Sequence, residues 1–182
     1  NGDFDVSSIV DFSGDNVIVT RTDMNHAAEI FSYNLKKKSW KQLTNVNTNT
    51  YNSLALSKTV RRYVTTTDGK KMLVWVILPP NFDANKKYPT LLYCQGGPQS
   101  PLTQSYSFRW NFQLMAANGY VVVAPNRRGM QGHGVEWNEQ ISKDWGGQVM
   151  QDYLSAIDDV AKEKYVAADR LGCVGASYGG YS

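Results

Sequence analysis

Leu171-Gly172-Cys173-Val174-Gly175-Ala176-Ser177-Tyr178-Gly179-Gly180 runs from an apolar strand straight into a turn of the kind that exposes a serine between a strand and a helix. Geometry demands small residues in such a turn. The positions two before and two after the serine crowd its backbone, and only a missing Cβ avoids the clash. The serine Oγ then stands at the start of the next helix, where the partial positive charge favours an anion. Glycine and serine are common, so the bare string is only moderately specific, and an ordinary Gly-rich turn competes with it. Its position after a strand gives it weight.

The same strand-then-helix pattern fills the residues before it. Tyr88–Cys94, Tyr120–Ala124 and Leu171–Gly175 are largely apolar runs of strand length, the kind buried on both faces. Phe108–Asn118 is predicted as a helix, with Phe108, Phe112 and Met115 on one side and Gly119 as its stop. A second helix is predicted from Val149 to about Lys164, with Val149, Tyr153, Ala156, Ile157 and Val160 at helical spacing. Val60–Thr66 and Met72–Leu78 flank Asp68-Gly69, a hairpin signal, and Pro79-Pro80 closes the second strand. Strands alternating with helices after an opening hairpin imply an α/β architecture, a mostly parallel sheet with helices on both faces.

The first fifty residues differ in character. Ser8–Phe12, Val17–Thr22, Glu29–Leu35 and Trp40–Thr44 read as four short strands separated by turn residues, and Phe31, Tyr33 and Leu35 alternate with polar neighbours. Four such strands make a propeller blade or a small meander. A lone blade cannot bury its faces, so further blades are expected before residue 1. Lys36–Lys38 reads as a solvated hairpin tip. Asn45–Ser57 has little periodicity and holds the expected boundary between domains 1–50 and 51–182.

Composition narrows the classes of function. Of the 182 residues, 42% are hydrophobic and 19% charged, which excludes a disordered chain. The net charge of +3 is too small and scattered for a nucleic-acid partner. No apolar run reaches the roughly 18 residues of a membrane helix, so no membrane partner is expected. Cys94 and Cys173, each inside an apolar run, read as buried thiols rather than as a disulfide framework or zinc site. No dinucleotide fingerprint, phosphate loop or metal spacing is present, so no cofactor or metal is expected.

Candidate chemistry gathers around two glycine-rich turns. Gln95-Gly96-Gly97-Pro98 directly follows the Tyr88–Cys94 strand, and two residues without side chains let backbone N–H groups approach a developing oxyanion. The second donor would be the Tyr178 amide. A serine nucleophile needs an imidazole to take its proton, and the chain has two histidines, His26 and His133. His26 falls in a turn of the first block. His133 precedes the serine, whereas in this kind of fold the chain order is Ser, Asp, His, so it is expected to be a loop residue. The partners are expected beyond residue 182, in a longer protein. Arg127 and Arg128 follow a buried strand; either could contact a substrate carbonyl, though bracing the loop is favoured. Asp158 and Asp159 point apart on a helix, which argues against an acid/base pair.

Taken together the chain resembles the prolyl oligopeptidase family of serine peptidases, in its dipeptidyl peptidase V and acylaminoacyl-peptidase branch. The stretches that carry the resemblance are Thr67-Asp68-Gly69-Lys70, Gln95-Gly96-Gly97-Pro98, Asn126-Arg127-Arg128-Gly129, Asp144-Trp145-Gly146-Gly147, Asp169-Arg170-Leu171-Gly172 and Gly175–Tyr181. It implies the last blade of a β-propeller followed by the first half of an α/β-hydrolase domain. It also implies Ser177 as nucleophile, Tyr178 and Gly97 amides as oxyanion donors, and Gln95 and Arg128 as substrate or loop contacts. Where other members place a tyrosine hydroxyl donor this chain has Gln95, which favours a backbone oxyanion hole. The expected activity is release of N-terminal dipeptides, with peptides and the rest of the same protein as partners and homodimerisation left open. The branch suggests a periplasmic or secreted setting ahead of a cytoplasmic one. An acylaminoacyl peptidase, a carboxylesterase and a non-catalytic binding protein on the same fold are the alternatives.

Overall fold

The computed structural model describes residues 3–182. Its contacts divide into two compact units, residues 3–56 with Thr103–Gln113, and Ser57–Leu102 with Leu114–Ser182.

The first unit is a four-stranded antiparallel meander, β1 (Asp5–Ser13), β2 (Asn16–Asp23), β3 (His26–Asn34) and β4 (Ser39–Gln42), paired in chain order. Short hairpin turns permit nothing but nearest-neighbour antiparallel pairing. Arg21 lies over the rings of Phe4 and Phe31, with guanidinium-to-centroid distances of 3.6 and 4.8 Å. A single turn of helix, α1 (Thr48–Asn52), interrupts the stretch expected to be irregular. It buries no residue, so it left no periodic trace in the sequence. The Thr103–Gln113 segment belongs to this unit, and the Met24 N–H donates to Gln104 Oε1 at 3.2 Å.

The second unit is built on a five-stranded sheet. Its strands are β5 (Lys58–Thr65), β6 (Lys71–Leu78), β7 (Tyr88–Cys94), β8 (Val121–Pro125) and β9 (Val166–Gly175), in the order β5-β6-β8-β7-β9. β5 pairs with β6, and β6 with β8, antiparallel; β8–β7 and β7–β9 are parallel. The sheet is therefore mixed and not mostly parallel, because the opening hairpin joins it through β6. β8 is buried along its whole length, as its apolar run requires. β9 is not: Leu171 is 41% exposed, and Cys173, expected to be a buried thiol, is exposed as well.

Helix α2 (Phe112–Ala117) starts four residues later than its apolar pattern predicts, and Phe108 is 84% exposed. Side-chain capping explains the shift. The Ser107 hydroxyl accepts the Trp110 N–H at 2.9 Å, and Asn111 Oδ1 accepts the Gln113 N–H at 2.8 Å, so the helix begins after Asn111. The short α3 (Val135–Glu139) lay outside the sequence expectation. Helix α4 (Gln148–Val160) buries Val149, Tyr153, Ala156, Ile157 and Val160, the predicted stripe. These five join Met72, Val74, Val76, Leu92, Val121 and Val123 in one core cluster. Each such apolar side chain contributes about 1.5–3 kcal/mol by leaving water. No helix among the described residues is long and apolar enough to cross a membrane.

Candidate active site

β9 delivers Ser177 to the surface. The short helix α5 (Tyr178–Tyr181) begins directly after it. Ser177 carries φ 59° and ψ −126°, a conformation that costs a residue with a side chain about 1–3 kcal/mol and survives only where surrounding structure enforces it. Enforcement here is steric and hydrogen-bonded. A Cβ at Gly179 would lie 1.9 Å from the Cys94 carbonyl oxygen, and one at Gly175 would lie 2.4 Å from the Gly179 oxygen. Those obstacles are backbone atoms and cannot swing aside, so both positions require glycine. The Gly180 and Tyr181 N–H groups donate to the Ser177 carbonyl at 2.9 and 3.1 Å and close the turn.

The Gln95–Pro98 loop lies against this turn. A Cβ at Gly96 would sit 3.0 Å from the Ala176 oxygen and 3.6 Å from Ser177 Cβ, so only a glycine leaves the space beside the serine open. Gly97 has φ 126°, out of ordinary reach for residues with a Cβ. Neither the Gly97 nor the Tyr178 amide N–H is engaged in a hydrogen bond among the described residues. The Tyr178 side chain is buried instead of facing the serine. Its hydroxyl donates to the Trp145 carbonyl at 2.7 Å and its ring meets Trp145 edge-on at 5.4 Å. Burial pushes its phenol above the usual range.

Arg127 is fully buried, and its donors go to the Pro98, Gln95 and Arg128 carbonyls and to the Tyr153 hydroxyl. Arg128 is buried too. It grips the Asp68 carboxylate at 2.5 and 2.7 Å and pairs with Asp152 at 3.2 Å. Its own amide N–H donates to Asp152 at 2.9 Å. Both arginines thus brace the loops around Ser177, and neither guanidinium points out to solvent. The Arg128 hydrogen bonds hold the Asp68 carboxyl well below its ordinary value, while burial raises that of Asp152. Gln95 is half-buried and contributes its carbonyl to the bracing.

His133, which lies in the same unit as Ser177, makes no hydrogen bond to it among the described residues. His133 sits exposed in its loop, its ring 6.5 Å from that of Trp137. His26 pairs through Nδ1 with Asp23 at 2.8 Å, in the wall of a cleft of about 450 Å³ in the first unit. Burial pushes the Cys94 thiol up to about 11, far from a reactive thiolate. Among the described residues no cluster of three or more metal-ligating side chains occurs.

The sequence reading gave no part in the site to three residues that brace it: Tyr153, Asp152 and Asp68. Tyr153 passed for a core position, and its hydroxyl's partners are 26 and 58 residues away. Asp152 left a usable signal, a carboxylate inside the buried stripe of α4, where a charge needs a partner.

A serine held at positive φ between a strand and a helix, beside a glycine loop, has the backbone geometry of a strand-to-helix serine turn. Comparison narrows the class. The family model for the prolyl oligopeptidase family matches residues 106–182. A dipeptidyl-peptidase 5 of Porphyromonas endodontalis is 49% identical over 172 residues, covering 94% of this chain and 25% of that protein. A second, from Porphyromonas gingivalis, is 63% identical over 122 residues, 67% of this chain and 18% of that protein. Among solved structures, the Pyrococcus horikoshii acylaminoacyl peptidase superposes with a TM-score of 0.87 at 24% identity, over 100% of this chain and 28% of that one. The chain belongs to the prolyl oligopeptidase family, and it spans about a quarter or less of the length of the curated relatives it matches.

Proposed function

We propose that the full-length protein is a serine exopeptidase that releases N-terminal dipeptides through an acyl-enzyme on Ser177. The observation that carries this reading is the backbone of Ser177, strained at φ 59° in a turn where flanking glycines leave no room for side chains. Such strain is retained where it presents a reacting group. The dipeptidyl specificity draws support from the relatives named dipeptidyl-peptidase 5.

In the proposed cycle Ser177 Oγ attacks the scissile carbonyl carbon while a histidine takes its proton. The amides of Tyr178 and Gly97 receive the negative charge that develops on the carbonyl oxygen. The C–N bond then breaks, the histidine returns the proton to the leaving amine, and water hydrolyses the ester. The histidine and the aspartate that orients it are assigned to the part of the protein that the relatives possess beyond the matched region. Residues 1–50 are assigned as the last blade of a β-propeller that limits entry to short peptides. Residues 51–182 are assigned as the N-terminal part of an α/β-hydrolase domain. The likeness to the Pyrococcus structure supports that architecture.

A fluorophosphonate probe on the full-length protein tests the reading. Labelling at Ser177 together with release of dipeptides from dipeptidyl amides is expected. An unlabelled Ser177 in a protein that binds peptides would favour a non-catalytic role.

A further inference from the structure

Arg127 follows β8 directly and has no exposed surface. Its hydrogen bonds run in several directions. Nη1 donates to the Pro98 carbonyl at 2.6 Å and to the Arg128 carbonyl at 2.8 Å. Nη2 donates to the Gln95 carbonyl at 3.0 Å, and Nε to the Tyr153 hydroxyl at 3.1 Å. The Tyr153 hydroxyl in turn donates to the same Gln95 carbonyl at 3.3 Å. The guanidinium also lies over the Tyr178 ring, 4.8 Å from its centroid.

None of these partners is a carboxylate. A buried cation held only by carbonyls and a hydroxyl is a costly device, and an apolar side chain of similar volume would often stabilise the fold as well or better. What the arginine supplies is placement. Two of the three carbonyls it grips, those of Gln95 and Pro98, flank Gly96-Gly97 on either side, and the ring beneath it belongs to the residue that follows Ser177. One side chain therefore touches both backbone segments to which the proposed function assigns the oxyanion donors.

We propose that Arg127, supported by Tyr153, is the positioning residue of the oxyanion hole. It fixes the Gln95–Pro98 loop against Tyr178 so that two amides meet at one point, and its positive charge adds to the field there. This rests on the reading of Ser177 as nucleophile. Burial pushes the Tyr153 phenol up to about 12, which keeps its donated proton in place at any working pH.

The test uses the full-length protein with Arg127→Lys and Tyr153→Phe. End-point fluorophosphonate titration counts competent sites, so that kcat is expressed per site. KM for a dipeptidyl amide and affinity for a dipeptidyl boronic acid are measured beside it. Lysine cannot grip two carbonyls in a planar fork, so Arg127→Lys is expected to lower kcat per site about 10²-fold. Tyr153→Phe, losing one hydrogen bond, is expected to lower it about 2- to 10-fold. In both, KM stays within about threefold while boronate affinity falls in step with kcat. A purely structural role would instead reduce the number of labelled sites and leave kcat per site untouched. That result would overturn the proposal while leaving Ser177 as nucleophile. Should Arg127→Lys fail to fold, Tyr153→Phe decides alone. A wild-type protein that is never labelled at Ser177 would remove both readings together.

Discussion

Gly179 and Ser177 set opposite demands on the same turn. Ser177 accepts a backbone conformation that a β-carbon disfavours, while Gly179 occupies a place that no β-carbon can enter, 1.9 Å from the Cys94 carbonyl. Substitutions at the two positions therefore separate chemistry from folding. Ser177→Ala removes one exposed hydroxyl and retains the β-carbon, so stability is expected to change by no more than about 0.5 kcal/mol. Turnover should fall by several orders of magnitude, because a nucleophile cannot be replaced by its neighbours. Activity above a few per cent of wild type would contradict the assignment. Gly179→Ala forces the two turns apart, and a loss of about 3 kcal/mol or more is expected from strain of that kind. Chemical denaturation of the two variants side by side is the measurement. The need for glycine at 175 and 179 was legible in the sequence because it follows from the tightness of a strand-to-helix turn. The identity of the obstacle was not, since Cys94 lies more than eighty residues away along the chain.

Elements are held to one another by a buried charge cluster. Arg128, just past β8, reaches Asp68 and Thr66 at the β5–β6 hairpin and Asp152 on α4. Arg128→Met leaves the Asp152 carboxylate, which has no exposed side-chain surface, without its cation. Breaking a buried pair in this way costs about 3–5 kcal/mol. Replacement of Asp68 tests the same cluster by pH. The hydrogen bonds from Arg128 hold the folded Asp68 carboxyl below its unfolded value of 3.8. Its stabilising contribution is thus fully present above pH 3.8 and is lost as the pH falls through the lower folded value. Asp152, raised by burial, works in the opposite sense in the adjoining window above 3.8. Melting temperature followed from pH 5 downward should fall less steeply in Asp68→Asn than in wild type, and identical slopes would show that Asp68 is not paired in solution. None of this was readable from spacing, because the partners are 60 and 24 residues apart. The amphipathic α4 was readable, since five apolar residues repeat at helical period. The start of α2 was not, because Ser107 and Asn111 override an apolar pattern that continues through Phe108.

The chain as a whole joins an antiparallel meander to a mixed sheet, and the pairing of β6 with β8 decides that the second sheet is mixed. Alternation of strands and helices foretold the three parallel strands but could not foretell that antiparallel pairing, which bridges some fifty residues. The strained serine turn and the glycine loop are shared by peptidases and esterases alike, so the fold leaves open what the active protein counts from. A dipeptidyl peptidase must measure two residues from a charged amine, and acetylating that amine removes the charge and adds bulk at the same end. Where such an amine is held in a buried charge pair, loss of its charge costs about 2–5 kcal/mol, and the dipeptidyl reading requires a pair of that kind in the full-length protein. Acetylation of a dipeptidyl amide is therefore expected to lower kcat/KM of the full-length protein by that amount, roughly 30-fold to several thousand-fold. An acylaminoacyl peptidase would show the reverse preference, turning over acetyl-aminoacyl amides faster than free dipeptidyl amides. An esterase would hydrolyse aryl esters and leave both amides intact. Parallel kinetics on the three substrates, each repeated with Ser177→Ala as the blank, separates these outcomes, and a faster acetylated substrate would overturn the dipeptidyl assignment while preserving the acyl-enzyme on Ser177.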